Sequence, residues 1–312
     1  MLRVRFLENA TPVVNINNYN KKYYNLLDLQ FLDIFLPSNY IYKIVNKNMQ
    51  ADICICGIQH TDNSLLRKDE INILYSIENL SVGRTHYKHF NKFGRYGNPM
   101  IDLYIYNDII IPTEKIIPAF CMRINYYNKL INLNSHLYYE KVRENYKNIN
   151  TSFKNKKFCL FVSQNMSNSN KKKILNKLQN IGKVDFLMDI AEINTNLKTA
   201  SCFNSFELLK VFNQYKFIIC FENSNTKGYI TEKIFNVFLS KSIPIYDGDP
   251  EIDRFINRDS YLAFDDNLIS KINLLNNNES EYNKMINAEK TKQLNQKLIE
   301  NYFDKLIKNK NK

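Results

Sequence analysis

The chain has 312 residues, 44% of them hydrophobic, which is more than one compact core ordinarily holds and argues for two domains of roughly 150 residues each. With 43 Lys and Arg against 31 Asp and Glu, the formal charge of +12 suits an acidic partner such as a nucleotide, a nucleic acid or an anionic membrane surface. No window approaches the ~20 consecutive apolar residues of a membrane-spanning helix, and the N-terminal MLRVRFLENATPVVNI has no secretory apolar stretch, so a cytoplasmic protein is expected.

In chain order, the first half alternates apolar runs of strand length with polar or helical stretches. Strands are expected over residues 2–6, 41–45, 53–57, 71–76 and 103–106, with a helix over 24–35. Such alternation predicts a parallel sheet with crossover helices. Residues 126–157 lose the apolar runs and read as the connection between domains, with a helix near 135–147. A second set follows: a strand over 157–162, a basic amphipathic helix over 171–181, a helix over 206–213 and a strand over 217–221. Beyond a last strand over 261–264 come helical segments over 268–275 and 280–294, then a short basic amphipathic tail. Its Leu298, Tyr302, Phe303 and Leu306 share one face, which packs back on its own domain or touches an anionic membrane surface weakly. The domains expected are 1–150, 151–295 and a tail over 296–312.

The six cysteines, Cys54, Cys56, Cys121, Cys159, Cys202 and Cys220, form no CxxC pair and no zinc spacing with the four histidines. Cys54 and Cys56, two apart in ADICICG, point to one face of a strand as small hydrophobes. His86 and His89 read as loop residues. Lysine is enriched together with Asn, Ile, Tyr and Phe, so the charge alone does not define a partner. The lysines are not interleaved with stacking aromatics, and nucleic acid is not expected.

The most informative stretch is FIICFENSNTKGYITEKIFNVFLSKSIPIYDGDP, residues 217–250. It reads as one strand, loop, helix, strand unit. The polar loop places its residues at the carboxyl end of a strand, where open α/β sheets bind ligands. Thr231 is the expected N-cap, with Ile234, Phe235, Phe238 and Leu239 marking one buried helix face. The helix start, with Lys233 in its first turn, favours a phosphate. An ordinary βαβ unit with a solvated loop is the alternative.

FENS, YITEK and SIPIYDGD resemble the signature of the α-1,3/α-1,4-fucosyltransferases of glycosyltransferase family 10, with bacterial or viral members the nearer comparison. The resemblance implies an α/β GT-B architecture, two Rossmann-like domains with parallel sheets facing across a cleft. It also implies a GDP-fucose donor, inversion at the sugar carbon, a glycan acceptor and no required cofactor. Within the motif it gives Lys233 the diphosphate, Glu232 the ribose or sugar hydroxyls, and Tyr229 and Asn223 the shape of the donor pocket. Glu222 belongs to the same donor-binding set or is structural. ILYSIENLS resembles the family's YTGEN element, which makes Glu78 the general base, with Ile77 where a glycine is usual. FVSQNMSNSNKKK resembles the element whose helix-start arginine contacts the phosphates; Lys171 holds that place, with the charge but without a guanidinium's fork.

Asp247, Gly248 and Asp249 spell the DxD that binds a divalent metal in a different glycosyltransferase fold. Here Asp247 is read as replacing an aromatic or other residue and Asp249 as a turn residue, with metal the alternative. The function expected is transfer of L-fucose from GDP-fucose to a GlcNAc or Glc hydroxyl in α-1,3 linkage. The alternatives are a GT-B enzyme using another nucleotide sugar, and a non-catalytic basic module binding glycan or nucleic acid.

Overall fold

The computed structural model describes residues 1–7, 42–57, 63–76, 97–106, 116–118, 149–162, 169–189, 206–292 and 296–310, with Cys121, Ile124, Tyr127 and Asn128 besides. Chain contacts divide it into two compact units. The first comprises Met1–Asn125, Thr226–Tyr229 and Leu294–Lys312; the second comprises Tyr126–Asn225 and Ile230–Gln293.

The first unit contains β1 (Leu2–Phe6), β2 (Tyr42–Ile44), β3 (Ile53–Gly57), β4 (Ile71–Tyr75), β5 (Leu103–Tyr106) and β6 (Ile116–Pro118). They form one sheet in the order β2-β1-β3-β4-β5-β6, every pair parallel. Every residue of β3, β4 and β5 is buried, as expected of strands covered on both faces. Cys54 and Cys56 pack with Leu74, Tyr104 and Tyr106 in one apolar cluster. Burial pushes the Cys54 thiol up to about 12, so it stays a neutral hydrophobe.

The second unit begins its sheet with β7 (Lys157–Phe161), followed by α1 (Ser169–Gln179), β8 (Val184–Phe186), α2 (Phe206–Asn213), β9 (Tyr215–Ile219), α3 (Glu232–Leu239), β10 (Ile243–Tyr246) and β11 (Leu262–Ala263). The strand order is β11-β10-β9-β7-β8, again all parallel. Numbered within its own unit, that sheet repeats the order of the first five strands of the other. Chain direction along the sheet reverses between β7 and β9, so their carboxyl ends flank a crevice of the kind that holds ligands in doubly wound folds. The helices α4 (Leu268–Asn277) and α5 (Glu279–Asn287) close the unit, and α6 (Gln296–Lys310) ends the described chain.

Several elements depart from the sequence reading. The strand expected over 217–221 pairs with β7 from Tyr215, and its ladder with β10 runs on past the strand's end. Cys220 N donates to Ile245 O at 3.0 Å and Glu222 N to Asp247 O at 2.8 Å. The three-residue strands β6 and β8 carry no apolar run long enough to announce them. Helix α5 stops at Asn287, short of 294. Lys290 Nζ caps the carbonyls of Met285 and Ile286, and the chain turns extended to bridge Thr291 with Ile256.

The units divide at Asn125/Tyr126, earlier than position 150. Tyr127 is buried with its ring 6.1 Å from Phe235 and 5.8 Å from Phe238, which ties this segment to α3. The tail is a helix that groups with the first unit; Phe303 and Ile307 are buried, and Lys310 Nζ lies 3.3 Å from Asp102 Oδ2. The expected helices over 24–35 and 135–147 lie outside the described residues. No described helix is long and apolar enough to cross a membrane.

Candidate donor-nucleotide site

Three segments of the second unit meet at the carboxyl edge of its sheet: the first turn of α1 after β7, residues 222–225 and 230–233 after β9, and residues 247–249 after β10. The centre is Glu222, whose side chain is fully buried. Its Oε1 accepts from Thr231 N at 2.7 Å, Thr231 Oγ1 lies 2.8 Å from Oε2, and Lys233 Nζ donates to Oε2 at 2.9 Å. Lys233 Nζ also lies 3.0 Å from Thr231 Oγ1. Thr231 does occupy the N-cap of α3, but its hydroxyl serves Glu222 and makes no capping bond. The buried carboxylate thus gathers the helix start and aims Lys233, which remains 26% exposed.

Helix α3 holds this arrangement rigidly. Residues Ile234 to Leu239 are all buried, so the helix lies inside the unit rather than presenting the one-sided stripe expected from spacing. Each of its apolar side chains contributes about 1.5–3 kcal/mol by leaving water. Behind Glu222, Gly248 leaves no room for a side chain: a Cβ there would sit 2.4 Å from Tyr246 Oη and 2.6 Å from Glu222 Cγ. The Tyr246 phenol, pushed well above its ordinary pKa by burial and by Glu222, stays protonated and accepts from Asp249 N at 3.3 Å.

Lys171 is 2% exposed, whereas Lys172 and Lys173 beside it are exposed. Burial lowers its pKa and nearby Lys233 lowers it further, while Glu222 and Asp247 pull it back up. The structure therefore brings Lys171, Glu222 and Lys233 into one electrostatic cluster. Periodicity carried the signal that singles out Lys171: it shares the i, i+3, i+4, i+7 face with the buried Ile174, Leu175 and Leu178.

Of the other expected residues, Asn223 is exposed, Glu232 half-buried and Tyr229 buried. Gly228 before Tyr229 has φ 78°, a conformation that favours glycine. Glu78, His86 and His89 lie outside the described residues. The sequence reading missed how Asp247 is held: its Oδ1 accepts from Asn225 Nδ2 at 2.8 Å and its Oδ2 from Asn170 Nδ2 at 3.1 Å. Asp249 Oδ1 accepts from Glu251 N at 2.8 Å, a turn contact. Among the described residues no group of three or more His, Cys, Asp or Glu is arranged to hold a metal.

Two parallel α/β sheets of the same strand order, with a cation-bearing helix start at the carboxyl edge of the second, define a GT-B type of fold. A solved α1,3-fucosyltransferase with GDP-fucose superposes with a TM-score of 0.60 at 19% identity, over 98% of this chain and 90% of that one. An α-glucosyltransferase in complex with UDP-glucose and DNA superposes with a TM-score of 0.52 at 10% identity, over 97% and 95%. The family profile described as glycosyltransferase family 10 (fucosyltransferase) C-term matches residues 151–307, just over half of the sequence, and the chain belongs to that family.

Among curated relatives, a provisionally named fucosyltransferase of Acanthamoeba polyphaga mimivirus is 27% identical over 90% of this chain and 43% of its own length. The α-(1,3)-fucosyltransferase FucT of Helicobacter pylori is 44% identical over 17% of this chain and 11% of its own. Glycoprotein 3-α-L-fucosyltransferase A of Drosophila melanogaster is 33% identical over 47% and 30%. The chain spans less than half the length of these curated relatives.

Proposed function

We propose that the protein is an inverting fucosyltransferase that moves L-fucose from GDP-fucose to a GlcNAc or Glc hydroxyl of a glycan, forming an α-1,3 linkage. The observation that carries this reading is the buried Glu222 that holds Lys233 at the start of α3, with Lys171 beside it, at the switch point of a doubly wound sheet. Transfer requires that charge on the departing diphosphate be neutralised, and preorganised cations in a partly dry site do this without reorganisation. Lys233 and Lys171 take that role. Glu232, Asn223 and Tyr229 shape the pocket for ribose and sugar, and Glu222 positions Lys233 and Thr231 rather than touching the donor. The acceptor proton goes to a carboxylate base, assigned to Glu78 from its place in SIENL.

The reaction in this reading needs no divalent metal, because two lysines supply the charge that a metal would bring. A second reading, a different nucleotide sugar, is favoured by Lys171 alone: a lysine contacts phosphate as a point charge and does not reproduce a guanidinium's bidentate fork. The test is transfer from GDP-fucose to N-acetyllactosamine, with manganese or chelator, for the wild type and Glu78→Gln. Transfer that survives chelation and is lost in the variant is expected. Selective binding of a nucleoside diphosphate without GDP-fucose turnover would favour the second reading, and absence of binding to any nucleoside diphosphate would overturn both.

A further inference from the structure

We propose that Asp247 is a positioning residue of this site: its carboxylate ties the first turn of α1 to the loop after β9, so that Lys171 and the Glu222–Lys233 pair are presented together to a nucleoside diphosphate. The proposal rests on the reading above that the site takes such a ligand.

Asp247 is the first residue beyond β10. In the sheet, β9 lies between β10 and β7, so the segments after β7 and β10 are not neighbours through strand pairing. The carboxylate spans that gap. One oxygen takes the Asn170 amide, 77 residues away in sequence, and the other takes the Asn225 amide, 22 residues away. Its main-chain carbonyl accepts from Glu222 N at 2.8 Å. A single residue of the third segment therefore bonds to both of the others that build the site. A side chain at the neighbouring Gly248 would collide with Glu222 and Tyr246, so the chain next to Asp247 runs close against both.

Charge gives the same residue a second effect. Among the described residues, the charged groups that act on Lys171 include Lys233 from α3, Glu222 after β9 and Asp247 after β10, while Lys172 and Lys173 on its own helix are exposed. Glu222 already binds Lys233 and Thr231. Asn170 and Asn225 bond to the Asp247 carboxylate through neutral amides, so neither partner brings a compensating charge. A carboxylate beside an anion site repels the ligand, but it also keeps a buried ammonium protonated, and an uncharged Lys171 could not attract a diphosphate at all.

The experiment compares wild type, Asp247→Asn and Asp247→Leu. Lys171 is titrated by NMR in ligand-free protein, assigned with Lys171→Arg; hydrogen exchange is followed in the first turn of α1 and at Asn225; GDP binding is measured by calorimetry across pH. Asparagine keeps both amide contacts once the exposed Asn225 side chain flips, but lacks the charge. Asp247→Asn is therefore expected to titrate Lys171 at lower pH and to move the alkaline loss of GDP affinity the same way, since an anion binds the protonated amine. At pH values below that limb its GDP affinity is expected to match or exceed wild type. A merely structural contact would not move the limb.

Asp247→Leu loses both contacts and is expected to weaken GDP binding about tenfold, with faster exchange at both segments. An unmoved Lys171 titration in Asp247→Asn together with unchanged exchange in Asp247→Leu would overturn the proposal. Failure of the wild type to prefer GDP over other nucleoside diphosphates would instead count against the donor assignment, while the ligand-free titration and exchange still decide the role of Asp247.

Discussion

The two units each bury a glutamate completely, and they use it in opposite ways. Glu70, just before β4, is enclosed with Arg5, whose side chain is 1% exposed. Arg5 Nε lies 2.9 Å from Glu70 Oε2, Ala51 N donates to Oε1 at 2.8 Å, and Arg67 adds a third contact at 3.3 Å. The remaining guanidinium N–H groups reach the carbonyls of Lys47 and Leu65. That pair is sealed by protein on every side and fastens the segments at residues 47–51 and 65–70 to β1. Glu222 is equally buried, but it follows its strand instead of preceding it, and its cation is a lysine left partly open to solvent. The difference teaches how to read a buried acid: Glu70 shares its enclosure with the Arg5 guanidinium, with Arg67 only at the edge, and that pair is structural, whereas the lysine bonded to Glu222 is left reachable at the carboxyl edge of its sheet.

Breaking the enclosed pair should have the largest effect. Glu70→Ala leaves the Arg5 charge buried and uncompensated, and is expected to destabilise the first unit by about 3–5 kcal/mol in denaturant unfolding. Donor affinity of the protein that remains folded should be unchanged. Lys233→Ala is the converse: kcat/KM for GDP-fucose should fall about 100- to 1,000-fold, as for loss of a preorganised group that stabilises transition-state charge. Its unfolding midpoint should fall by less than that of Glu70→Ala, because Thr231 still donates to the buried Glu222 carboxylate when the lysine is gone. If Lys233→Ala costs as much stability as Glu70→Ala and spares activity, the distinction between the two glutamates collapses.

Gly248→Ala sharpens the comparison, because it perturbs Glu222 without removing a charged group. The added methyl must displace Tyr246 or Glu222, at about 1–3 kcal/mol of stability. Donor affinity should fall with it, which calorimetry with GDP would read. The smallest effect is expected at the outer pair of the first unit, Arg3 with Asp52, where the side chains are over a third exposed. Burial raises the Asp52 carboxyl, but the hydrogen bonds and charge of Arg3 outweigh it and hold the pKa below the usual value. The stabilisation is thus present above the ordinary carboxylate range and is lost as pH falls through the lowered pKa. Asp52→Asn should flatten only that acid limb of a stability–pH curve and should barely change stability at neutral pH.

Strand and helix identity followed from short-range pattern wherever an apolar run was long enough. The runs at 2–6, 53–57 and 103–106 became β1, β3 and β5 at those bounds, and α2 took the expected 206–213. The family signature around Glu222 and Lys233 was likewise written in consecutive letters, because the residues that build a helix start and its preceding loop are neighbours in the chain. Tertiary structure alone decided the rest. Among the side chains that cover α3 is Tyr127, more than a hundred residues upstream, and α6 groups with the first unit, where its Lys310 lies against Asp102, 208 residues away in sequence. The role of Asp247 was hidden for the same reason. Its partners Asn170 and Asn225 are distant in sequence, and only the strand order, which sets three loop ends side by side, brings amide and carboxylate within hydrogen-bonding reach.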